Sequence, residues 1–332
     1  MDLAELEFEN MYLEGKNIIL RTDTNLLMLD KVLNMYDYVT RYGVDKSFIK
    51  VYNINAELDA VTGFSIAGNE SFDYTDIDPA YKQACMEGII EGVKAAVKWI
   101  IEKIKQLLNW IKEVWHKFYN LFDSSKTTHE INKLKQEQVS NINDEQVETE
   151  MPDHKAVQDV CNAARSLEEA IKYVDSNISD EAVQAIERSI GYYKNTEFYK
   201  PNWLDRPSEI MFRLHDKDRY LNLMQSDMKD LATVYVVVKR LMDRATEGLK
   251  IMKRSAEILS NSNTAPNHEA DMKTVKLLKQ KMKHTTELIA ACNKVTKYIL
   301  KHQRITDSAL SSISKAIARG KDDAQVRWKY TS

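Results

Sequence analysis

From Val93 to Leu121, apolar residues return at alternating spacings of four and three: Val93, Val97, Ile100, Ile104, Leu107, Ile111, Val114, Phe118 and Leu121. Only a helix gathers residues so spaced on one side, and the alternation is that of heptad a and d positions. Ile101, Leu108, Trp115 and Phe122, each seven apart, widen the stripe. Asp78 followed by Pro79 supplies a start signal, because the carboxylate caps free N–H groups and proline fits the first helical position. A helix is therefore expected over about residues 79–122, roughly 65 Å long at 1.5 Å per residue. Its interaction face comprises Ile100, Ile104, Leu107, Ile111, Val114, Trp115, Phe118 and Phe122. Such a face packs on other helices or lies at a membrane interface, and both readings stay open. Trp99 and Trp110 lie off the main stripe, suiting a second packing face or a headgroup layer.

The rest of the chain is equally poor in helix breakers, with 9 Gly and 5 Pro in 332 residues. The expected fold is all-α, an elongated helical bundle with a small helical N-terminal segment. In that segment Leu26, Leu29, Leu33, Tyr36 and Val39 predict a helix over 23–42, ended by Gly43. A short helical piece at 45–52 and an aperiodic linker at 54–77 follow. Residues 123–153 are polar and read as a second boundary. Beyond it, helices are expected at 154–174, 180–196, 208–215, 217–261, 267–302 and 307–319, with Ser179, Thr306 and Gly320 as boundary residues. The β-branched run Tyr235 to Val238 lies within the apolar repeat of Leu221, Met224, Met228, Leu231 and Leu241, so it is read as helix. Three regions result: an acidic segment 1–78, the long helix with its polar linker 79–150, and a helical bundle 151–332 with a basic C-terminal part.

Charge is unevenly distributed. Residues 1–80 carry 15 acids and 6 bases, whereas 239–332 carry 9 acids and 20 bases. Lys273, Lys276, Lys279, Lys281 and Lys283 form the densest basic stretch, a candidate for non-specific polyanion contact with DNA. Tyr192, Tyr193, Phe198, Tyr199 and Trp203 crowd a turn bounded by Pro201 and Pro207, and are read chiefly as core packing. Metal chemistry is not indicated, since His116, His129, His154, His215, His268, His284 and His302 have no paired-ligand spacing. Cys85, Cys161 and Cys292 are too far apart for a zinc site and odd in number, so reduced thiols are expected. Phosphate-cradling or nucleophile-elbow motifs are lacking, and neither an enzyme nor a cofactor is expected. The acidic start predicts no secretory signal, and the apolar run Leu231 to Val238 is far shorter than a bilayer span.

The acidic head, the segment Tyr42 to Phe48, the Asp- and Ser-containing linker, and Met86, Glu87 and Gly88 leading into an amphipathic helix resemble the internal head, or prohead core, proteins of large tailed bacteriophages. The likeness covers roughly the first 125 residues. It implies a non-enzymatic virion structural protein with an acidic propeptide removed after glutamate, Glu70, Glu87 and Glu91 being the candidate positions. A cut anywhere from Glu70 to Glu87 sheds the acidic head and leaves a basic product. The resemblance also implies residence in the virion interior, and in the host cytoplasm during assembly, with self, other virion proteins and DNA as partners. A membrane-active helical protein, ejected or toxin-like, is the alternative, with a membrane surface as its partner.

Overall fold

The computed structural model describes residues 3–43, 48, 79–139, 144–261 and 268–331. Helix α1 (Leu3–Tyr42) lies along α2 (Pro79–Leu121); α2 packs on α6 (Lys217–Asn261) and α1 on α7 (His268–Thr331), the two longest helices, which also pack on each other. Between them come α3 (Ser124–Gln136), α4 (His154–Leu167) and α5 (Asp180–Lys194), each packed on α6 or α7. One continuous apolar core runs from Leu26 on α1 to Ile317 on α7. The expected all-α class holds, and the long amphipathic helix spans nearly the range its heptads predict.

The interaction face of α2 is spent inside the protein. Ile104, Leu107 and Phe118 have no exposed surface, and the other five predicted residues are buried as well. Phe118 stacks on Trp115 and Phe122, and Tyr235 of α6 closes this cluster with ring centroids 5.1–5.4 Å from Phe122 and Phe118. No helix among the described residues is long and apolar enough to cross a membrane.

Helix α1 begins about twenty residues before the apolar repeat predicts. Its inward line is Gly15, Thr22, Leu29 and Tyr36, each seven apart. The first half of that line has no large apolar side chain, so the periodicity is invisible there. Trp110 of α2 supplies the missing bulk: it is 3% exposed, fills the space over Gly15, and donates its indole N–H to the Met11 carbonyl at 2.8 Å. Trp110 thus belongs to the second packing face. The Thr22 hydroxyl, also buried, bonds the Ile18 carbonyl four residues back.

The polar stretch after residue 122 holds two elements that composition hides. Asp123 caps α3 by accepting the Lys126 N–H, and Thr127, Ile131 and Leu134 suffice to bury one side of this short helix. Strand β1 (Gln146–Met151) then pairs antiparallel with β2 (Ser208–Arg213), Val147 opposite Phe212 and Met151 opposite Ser208. The predicted helix over 208–215 is therefore a strand followed by a short 3-10 turn, Leu214–Asp216. Val147, Thr149 and Met151 alternate inward, but the glutamates between them read as a solvated linker, and the partner strand lies far along the chain. At the C-terminal end the predicted break at Thr306 is absent, because the side chain is buried within a helix that carries on through Gly320. The expected helix at 45–52 and the linker at 54–77 lie outside the described residues, apart from Phe48, which packs into the core.

Candidate functional site

The acidic head and the basic C-terminal region, far apart in sequence, meet in space. Along its contact with α7, α1 places Glu9 against Lys297 at 2.8 Å, Asp30 against Lys279, and Asp37 against Lys276 at 2.7 Å. On the α2 side Glu7 meets Lys117 at 2.5 Å. Asp23 sits half-buried between these pairs, where burial raises its carboxyl above the usual range and Glu287 adds to the effect while Lys283 opposes it. Exposed ion pairs are each worth only about 0–1 kcal/mol. The apolar contacts of Leu26, Leu29, Val32, Leu33, Tyr36 and Val39 therefore hold α1 in place, and the ion pairs set its register and neutralise the lysines under it.

The five candidate polyanion lysines accordingly divide. Lys276 and Lys279 are occupied by α1 carboxylates. Lys281 is not a surface residue: it has no exposed area, and its ammonium donates to the Ser176 and Asn177 carbonyls in the turn before α5. Burial lowers its pKa to about 8, so it serves the fold. Lys273 remains open, 3.8 Å from Asp180, and Lys283 is exposed near Asp23. Lys297, which sequence reasoning passed over, joins the covered set and also lies over the Tyr12 ring. The candidate cleavage positions divide too. Glu87 and Glu91 lie within α2, Glu91 paired with Lys94, so cutting at either requires the first turns of that helix to open. Glu70 lies outside the described residues.

A cavity of about 320 Å³ opens where α1 crosses α5 and α7, lined by Tyr12, Lys16, Tyr193, Asn293 and Lys294. Beside it Glu287 accepts from Lys194 at 2.9 Å and contacts His284 at 3.2 Å. Burial pushes Glu287 up, but these two partners outweigh it and hold the carboxylate at about 2.

A second polar cluster is buried between α4, α6 and α7. Asp227, 3% exposed, meets the half-exposed His154 through one carboxylate oxygen; the other lies 3.7 Å from Nε2 of His302. That nitrogen has no hydrogen-bond partner, and the opposite ring nitrogen faces the Tyr298 hydroxyl at 3.4 Å. Burial, reinforced by the nearby His154, lowers His302 to about 3, while burial raises Asp227 against the pull of His154. The neighbouring thiol of Cys161 is pushed up to about 11 by burial and that of Cys292 to about 12, so neither is a thiolate near neutrality. Among the described residues no group of three or more His, Cys, Asp or Glu side chains is placed to hold a metal ion.

His302 makes its own contribution to stability depend on pH with a definite sign. His302 binds a proton at about 6.5 when unfolded but only near 3 when folded, so below 6.5 protonation favours the unfolded chain. Between pH 7 and pH 5 the loss through this residue amounts to about 2 kcal/mol at 1.36 kcal/mol per unit. Asp227, with its raised pKa, acts in the opposite direction. The expected result is thus comparative: His302→Gln loses about 2 kcal/mol less than the parent over this interval, measured by urea denaturation at the two pH values. Equal losses in both proteins would remove His302 as the cause.

The chain matches no family model, and comparison with curated proteins and with solved structures likewise gives no match.

Proposed function

We propose that this chain is a non-enzymatic structural protein of a virion interior, in which the acidic helix α1 covers the basic face of α7 until it is removed. The carrying observation is the set of three ion pairs that join Glu9, Asp30 and Asp37 to Lys297, Lys279 and Lys276. An intramolecular cover of this kind keeps a polyanion-binding face neutral during assembly and exposes it afterwards to DNA. The resemblance of the first 125 residues to phage internal head proteins supports the same order of events.

The packing adds a physical condition to that scheme. A cut after Glu70, Glu87 or Glu91 breaks the chain but leaves the apolar face of α1 buried on α2, so release also needs a competing surface or local unfolding. Packaged DNA, which attracts the same lysines, is the natural competitor.

Intact-mass analysis of the chain recovered from purified particles tests this reading. A shortened form beginning just after one of those glutamates, without α1, is expected. Recovery of only the full-length chain, or of none, would refute it.

A further inference from the structure

Helix α1 carries a second heptad row on the side turned away from the bundle. Leu6, Leu13, Leu20 and Leu27 are each seven residues apart and 44–63% exposed. Leu13, Leu20 and Leu27 stand two positions before Gly15, Thr22 and Leu29 of the inward line, which at 100° per residue puts the rows on opposite faces, about 200° apart. The row runs about 32 Å. With four leucines at least two-fifths open, it offers apolar surface on the order of 300–400 Å², within the range of the largest patch on a typical monomer, which is often functional. Asn10, Asn17 and Thr24, all exposed, occupy the alternate seam positions. Polar residues there lower stability but restrict how two helices align.

We infer that this outward row is a self-association seam, pairing two copies of the chain through antiparallel α1 helices. The charges beside the leucines select a second copy in this orientation. Glu14 and Arg21 are both exposed and make no ion pair among the described residues. An antiparallel partner sets Glu14 against Arg21 of the other copy, and the two-fold axis makes the contact twice. A parallel, in-register partner instead sets Lys16 against Arg21, both cationic, and Glu14 against Glu9, which is already paired with Lys297. Glu9 and Asp30, which face α7, lie three positions after Leu6 and Leu27 and so flank the seam on one side; that edge of α1 covers its own chain's lysines while the leucines beside it join two chains. The inference does not depend on processing, since it concerns the uncut protein.

Sedimentation equilibrium of the full chain tests it. The intact protein is expected at twice its 38.4 kDa mass. L13Q/L20Q is expected at the monomer mass with its helical content kept and a melt that no longer depends on protein concentration, because both leucines are already open to solvent in the single chain. The charges then fix the orientation. E14R alone weakens the antiparallel dimer, by roughly tenfold for two pairs turned repulsive, and E14R/R21E restores it. A wild-type chain that stays monomeric at its highest soluble concentration overturns the inference. So does a dimer that survives L13Q/L20Q, or an E14R dimer that is tighter than the parent, as the parallel arrangement requires.

Discussion

Phe118→Ala is expected to lower the unfolding free energy by about 3–5 kcal/mol, the range for emptying a fully buried phenylalanine site. Phe118 has no exposed surface and stacks between Trp115 and Phe122, with Tyr235 across the interface at 5.4 Å. The three rings that remain, Trp115, Phe122 and Tyr235, cannot close over the void without rotating together, which places the effect toward the upper end. Denaturant unfolding followed by circular dichroism measures it. The same substitution separates a packing stripe from a lipid-binding one: on a membrane-facing stripe it would leave the stability of the protein in water nearly unchanged.

Gly15→Ala is the second large effect, and its sign runs against helix propensity. In an open helix the change stabilises by about 1 kcal/mol. Here the added methyl would fall 1.9 Å from Cζ2 and 2.2 Å from Cε2 of Trp110, far inside contact distance. Either the indole rotates out and gives up its hydrogen bond to Met11, or α1 lifts from α2. Overpacking of this kind costs about 1–3 kcal/mol and outweighs the propensity gain. Amide exchange should localise the damage, with protection lost along the first half of α1 and kept in α6. Unchanged protection would mean that Trp110 yields without disturbing the interface.

These two sites show where the fold was legible and where it was not. The stripe around Phe118 announces itself because large apolar residues repeat every three or four positions over 29 residues. Gly15 and Thr22 carry no such signal, since the bulk at that contact comes from a tryptophan 95 positions away. The β1–β2 pairing fails for the same reason: a strand of alternating glutamates gains its meaning from a partner some 60 residues on. Thr306 looked like a boundary because threonine favours helix starts, whereas in α7 it is buried in the middle of a long helix. Local chemistry fixes local structure, and contacts between remote segments overrule it.

The candidate site was legible only in part. Counting charges reveals an acidic head and a basic tail, but not that Glu9 and Lys297 touch across 288 residues of sequence. Lys281 is indistinguishable from its neighbours until its ammonium is seen enclosed beneath the turn at Ser176. The leucine row at positions 6, 13, 20 and 27 was available to a search for period seven. What sequence could not supply is the exposure that turns it from a core stripe into an outer seam.

In the proposed scheme α1 neutralises the basic face of α7. The most direct measurement is the salt dependence of DNA binding by the full chain carrying E9Q, D30N and D37N, compared with the parent. These amides keep the shape of α1 and remove only charges whose pairs hold little energy, so the helix stays docked. Tighter binding is expected, with a log–log salt slope steeper by roughly 0.9 for each freed lysine, up to roughly 2 for Lys276 and Lys297, since Lys279 stays covered by the docked helix. Identical affinity and slope in the two proteins would contradict it.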